Sequence, residues 1–219
     1  LPEKILPFCS KLRINNLGFE EKYMSCLDHR KLTSKFGSKI SLISTYGIIE
    51  ELRKIKNESE IIKIHHAVRI AQDALCYAKK IIRAGMKEIE VAAELERFIR
   101  YRGAESSSFD IIVASGPNSS FPHHLTSERK LKAAEPVLID LGVSYQGYKS
   151  DLTRVFFLGK ISTLVKNIYG IVLKAQLRAI DTIRQRVAVS EIDLAVRNFI
   201  NKKGWGKYFG HSLGHGIGL

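Results

Sequence analysis

The sequence predicts an α+β fold, an antiparallel sheet with helices on one side. Two observations carry this. Residues 136–157 read as two β-rich arms around a polar turn, and residues 109–114 read as a further strand closed by the turn signal Ser115-Gly116-Pro117-Asn118. Around these strands, apolar residues recur at steps of three and four over 48–82, 88–102, 164–186 and 191–203, the spacing of amphipathic helices.

Residues 1 to about 46 read as the tail of an α/β unit. Lys39–Tyr46 alternates like a strand, and Phe19–Phe36 holds one or two short helices. The helical pattern from Ile48 to Ile82 is interrupted at Asn57-Glu58-Ser59-Glu60, where Ser59 is the expected cap. Gly85 closes that helix and Gly103 closes the next. In the helix from Leu164, the expected inward residues are Ile168, Ile171, Val172, Ala175, Leu177 and Ile180, and Ser190 is expected to start the following helix. Residues 205–219 form a loop leading into a further strand. The expected division is 1–47, the end of a small domain, and 48–219, the larger one.

Composition excludes several classes. The 219 residues are 45% hydrophobic and 26% charged, ordinary for a soluble chain with a sizeable core. No run has the apolar length of a membrane span, and the start is not built like a signal peptide. Cys9, Cys26 and Cys76 have no CxxC spacing, which favours a reducing compartment and gives no metal signature. The net charge of +13 comes from scattered residues, without a basic cluster interleaved with aromatics, so it is read as a solvated surface and not as a nucleic-acid footprint. The first residue is Leu, and the glycine- and histidine-rich ending resembles the middle of a motif; both suggest an excerpt.

The chemistry centres on Asp140 and Asp151. With Ser144-Tyr145-Gln146-Gly147 as a symmetric four-residue loop, the two aspartates stand directly opposite each other on one face of the hairpin. Two carboxylates in contact repel and are costly to bury, so a cation between them is expected. His215 lies between glycines that leave its imidazole room to reach an ion. His211, four residues earlier, shares a face with it in either a helical or an extended chain. His123 follows Pro122 just ahead of the hairpin, with His124 as the alternative. Carboxylates with one histidine suit Mn²⁺, Co²⁺, Fe²⁺ or Zn²⁺.

The stretches 140–154 and 211–219, with 51–61 and Phe121-Pro122-His123, resemble the pita-bread metallopeptidases, the methionine aminopeptidase and creatinase-like family. Within it they are most similar to the Xaa-Pro aminopeptidases and Xaa-Pro dipeptidases. The resemblance covers about 48–219 and implies a pita-bread fold, incomplete at the C-terminus, after the end of a creatinase-like N-terminal domain. It implies that Asp140 binds one of two divalent metals (manganese first), that Asp151 bridges them, and that His215 binds the second. His123 and His211 would hold the scissile carbonyl and the tetrahedral intermediate, and two further glutamates would lie beyond Leu219. The implied activity is release of an N-terminal residue before proline, in the cytoplasm, by a chain whose relatives are often dimers. Methionine aminopeptidase, Xaa-Pro dipeptidase and a peptidase-like binding module are the alternatives.

Overall fold

The structure is a computed structural model that describes residues 2–219. The chain divides into two compact units, residues 1–56 and 57–219. In the first unit, α1 (Pro2–Lys11) precedes β1 (Asn16–Phe19), α2 (Cys26–Phe36), β2 (Ser41–Ser44) and α3 (Ile48–Lys54). Strands β1 and β2 pair in parallel with α2 between them, a small α/β unit around buried Cys9, Leu32, Phe36 and Ile40. The segment expected to be helical from Phe19 begins as strand. Only its second half, after the Ser25 cap whose hydroxyl accepts from Asp28 N, winds into helix.

The second unit opens with α4 (Glu58–Ile81) and α5 (Glu88–Tyr101). The cap of α4 is Asn57 and not Ser59. Asn57 Oδ1 accepts from Glu60 N, and Glu60 reaches back to Asn57 N, so both ends of a capping box close two residues earlier than a cap at Ser59 would allow. There follow β3 (Ser106–Ser107), β4 (Ile112–Ser115), a 3₁₀ turn (Gly116–Ser120), β5 (Pro136–Leu141), β6 (Val143–Tyr145), β7 (Tyr148–Lys149) and β8 (Leu152–Phe157). All pairings here are antiparallel, in the orders β4-β5-β8 and β3-β6-β7.

The sheet packs on α4 and α5 through one face only. Val137, Ile139 and Leu141 of β5 are fully buried against Ala71, Ala74, Val91, Leu95 and Ile99. The intervening Pro136, Leu138 and Asp140 face the other way. That alternation leaves one side of the sheet for chemistry.

Two more helices follow, α6 (Thr163–Thr182) and α7 (Val189–Lys202). They pack through Ala175 and Ala179 against Ile192, Val196 and Ile200. Of the six inward residues expected on α6, only Ala175 is buried; Val172, Leu177 and Ile180 are exposed. Small alanines let α7 approach closely, so the contact face of α6 is narrower than its apolar stripe. Helix α7 starts one residue before Ser190, with Ala188 as a cap that contributes no side-chain bond. Gly218, in the last stretch, forms a single bridge to Lys149.

Candidate metal centre

The hairpin that carries the aspartates is tighter than the expected four-residue loop. Tyr145 pairs with Tyr148, leaving Gln146-Gly147 as a two-residue turn with both φ angles positive, at 49° and 80°. That is the turn whose twist suits a hairpin. The register continues from Tyr145–Tyr148 through Ser144–Lys149 to Leu141–Leu152 and Asp140–Thr153. Asp140 therefore stands opposite Thr153, not Asp151, which corrects the direct pairing expected from a symmetric loop. The slip is two residues, and side chains alternate with a period of two, so Asp151 stays on the face of Asp140 as its diagonal neighbour. Between the two sheets, Gly142 passes so close to its surroundings that an added Cβ would lie 1.9 Å from Ser108 Oγ and 2.1 Å from the Ser150 carbonyl.

The structure brings all five sequence-predicted site residues together. Thr153 Oγ1 donates to Asp140 Oδ1 at 2.7 Å. Burial pushes the Asp140 carboxyl up. The Thr153 hydrogen bond opposes that rise, while Asp151 adds to it through both its charge and a shared hydrogen bond; nearby His123 pulls the carboxyl down. Asp151 Oδ2 lies 3.2 Å from His215 Nε2. The rings of His123 and His211 meet edge to face with centroids 5.2 Å apart.

The tautomer of His215 decides what its contact with Asp151 means. His215 Nδ1 lies 2.8 Å from the Gly216 carbonyl, which can only accept, so the hydrogen bond assigns the proton to Nδ1. In the neutral ring Nε2 then carries a lone pair, aimed at a carboxylate oxygen. Such a contact is repulsive unless a proton or a cation lies between. Metal-binding histidines have the same wiring, one nitrogen donating to a carbonyl and the other facing the ion. Asp140, Asp151 and His215 thus supply a donor set that suits a divalent cation. They form a row and not a closed cage: among the described residues no group of three or more His, Cys, Asp or Glu side chains surrounds a single point.

Two features behind this row were not foreseen from the sequence. Glu88, at the start of α5, is fully buried. It accepts from Ser115 N and Oγ, Asn118 Nδ2 and Ser127 N and Oγ, and its Oε2 lies 2.9 Å from His124 Nε2. This fixes the loop from Ser115 to Ser127, and so the backbone that presents His123. Burial alone would raise the Glu88 carboxyl, but the bonds from Ser127, His124 and Ser115 hold it at about 2. On α7, Asp193 and Arg197 grip the loop that carries His211. The only local signal for either feature was a helix-start glutamate ahead of a loop rich in donors, and an Asp/Arg pair four residues apart.

Residues 62–219 match metallopeptidase family M24. The chain is 43% identical over 172 residues to an Xaa-Pro dipeptidase of Pyrococcus horikoshii, covering 78% of this chain and 49% of that protein. Among solved structures it is similar to an Xaa-Pro dipeptidase from Bacillus anthracis (TM-score 0.96, 42% identity, 99% of this chain and 61% of that one). It is also similar to an X-Pro aminopeptidase from Thermotoga maritima MSB8 (TM-score 0.92, 39% identity, 99% and 61%). The chain spans about half to three fifths of the length of these relatives, and over that span it has their pita-bread fold. On these matches, and on a fold that agrees with them, the chain belongs to metallopeptidase family M24.

Proposed function

We propose that this chain carries active-site residues of a metal-dependent aminopeptidase that releases an N-terminal residue preceding proline. The observation that supports it most is the row Asp140–Asp151–His215, in which His215 Nε2 lies 3.2 Å from an oxygen of Asp151, a carboxylate that itself abuts that of Asp140. In this reading Asp140, Asp151 and His215 would hold divalent metal ions, two of them and manganese first. Bound there, such ions supply Lewis-acid charge that polarises a peptide carbonyl and acidifies water. The remaining work belongs to the protein's own groups. Thr153 orients Asp140 through its hydroxyl. His211 has Nδ1 tied to the Ser212 carbonyl at 2.8 Å, which leaves Nε2 free to accept a proton or, once protonated, to donate to an oxyanion. His123, exposed beside it, is placed to share that task. Residues 1–47 are read as the end of the N-terminal domain of the two-domain relatives, 48–219 as part of the catalytic domain, and the cytoplasm as the compartment.

The dipeptidase names of two of the relatives support a second reading, cleavage of Xaa-Pro dipeptides. One assay separates the two. The polypeptide containing this chain, at the length of its relatives, is supplied with Mn²⁺ or Co²⁺ and given either Xaa-Pro-Xaa peptides or Xaa-Pro dipeptides. Metal-stimulated release from the longer peptides, lost in Asp151→Ala, supports the aminopeptidase. Release only from dipeptides moves the assignment to the second reading. Release without metal, or undiminished in Asp151→Ala, sinks both.

A further inference from the structure

We infer that Asp193 and Arg197 of α7 are positioning residues that set where His211 stands. Arg197 Nε and Nη2 bond Asp193 Oδ2 and Oδ1 at 2.5 and 3.3 Å. The same guanidinium donates through Nη1 to the Phe209 carbonyl at 2.9 Å and through Nη2 to the carbonyl of His211 itself at 2.8 Å. Asp193 Oδ1 accepts from Leu213 N at 3.0 Å. One ion pair thus holds the loop at residues 209, 211 and 213. The guanidinium also lies over the Phe209 ring, 4.7 Å from its centroid.

The loop has little else to hold it. Among the described residues, no backbone–backbone hydrogen bond reaches residues 210–217. Gly210, Gly214 and Gly216 add conformational freedom that must be lost when the loop is ordered. The next backbone anchor is Lys149 N to the Gly218 carbonyl. Apolar packing of Phe209 and Leu213 onto the α6–α7 cluster gives adhesion but no direction. Direction comes from the planar fork of Arg197, which reaches two carbonyls and a carboxylate at once. A lysine in its place keeps the charge but presents a point and not a fork.

This inference rests on the peptidase reading for what His211 does, but not for how it is held. The test is NMR on the 219-residue chain with labelled histidine rings. In the wild type, ring protons of His123 and His211 give a cross-peak, as a 5.2 Å edge-to-face contact requires. The His66–Tyr145 stack, with centroids 5.3 Å apart, serves as a control for the fold in the same sample. Arg197→Lys and Arg197→Gln are expected to lose the first cross-peak and keep the second. Retention of the His123–His211 cross-peak in both variants overturns the inference. So does loss of both cross-peaks in both variants, since the pair would then support the fold in general. In the longer polypeptide, kcat should fall about 10–100-fold with KM little changed. Absence of peptidase activity in the wild type would overturn the proposed function and leave the positioning role standing on its NMR result.

Discussion

Glu88→Gln tests whether one buried carboxylate organises the loop that presents His123. Glu88 has no exposed surface, and donors from Ser115, Asn118 and Ser127 converge on it together with a ring nitrogen of His124. Glutamine has nearly the same shape but turns an amide NH₂ toward those donors, leaving a buried donor unpaired at about 1–3 kcal/mol. It also removes the charge-assisted share of the remaining bonds. A carboxyl held at about 2 against an ordinary 4.5 stabilises the fold at neutral pH by roughly 3 kcal/mol. The folded value lies below the unfolded one, so that stabilisation is fully present above about pH 4.5 and fades as pH falls toward about 2. The chain's single tryptophan, Trp205, lies in the same unit and reports its unfolding. Guanidinium titrations followed by Trp205 fluorescence should therefore show the wild type losing about 2–3 kcal/mol between pH 5 and pH 2 that Glu88→Gln does not lose. At pH 7 the variant should be less stable by a similar amount. Amide exchange at Ser115 and Ser127, whose N–H groups Glu88 accepts, should accelerate. Equal midpoints at pH 7, with parallel acid limbs, would refute the account.

Other outcomes follow from the same geometry. Gly142→Ala drives a methyl into Ser108 Oγ and the Ser150 carbonyl and should cost about 3 kcal/mol or more, read as a lowered thermal midpoint. Thr153→Val removes the donor to Asp140 Oδ1 and should weaken Mn²⁺ binding about 10–100-fold by calorimetry while leaving far-UV circular dichroism unchanged. Asn57→Ala opens the capping box of α4 and should cost about 1 kcal/mol in a denaturant titration.

What could be read from the chain before its structure divides along the range of the interactions involved. The helices were legible because their signal is local: α4 and α5 bury Ala71, Leu75, Leu95 and Ile99, residues already spaced in fours, although on α5 the inward face begins at Val91 and leaves Ile89, expected inside, exposed. The strand register was not, because it depended on a turn with two positive φ angles that Gln146-Gly147 signals less plainly than Asn-Gly would. The aspartate pair survived that misreading because of parity. A slip of two moves a side chain along the sheet without turning it over, whereas a slip of one would have sent Asp151 into the core beside Leu141.

Glu88, Asp193 and Arg197 mark where sequence reading stops. Each acts on backbone or side-chain groups well removed in the chain, Glu88 on partners 27 to 39 residues away and the Asp193–Arg197 pair on partners 12 to 20 away. Locally they look like ordinary helix residues, a negative charge at a helix start and an i,i+4 pair. Their placement follows a common logic. Asp140 sits on β5, where ladder bonds fix the backbone, and Asp151 immediately precedes β8, whose ladder to β5 begins at Leu152. His123 and His211 sit on loops that no ladder fixes, and each loop is tied by a charged group rooted in a helix. The paired strands β5 and β8 thus hold close the carboxylates that must stay near each other despite their repulsion, one within a strand and one at its start. The helix-anchored loops carry the imidazoles, whose aim depends on a few hydrogen bonds that a single substitution can release.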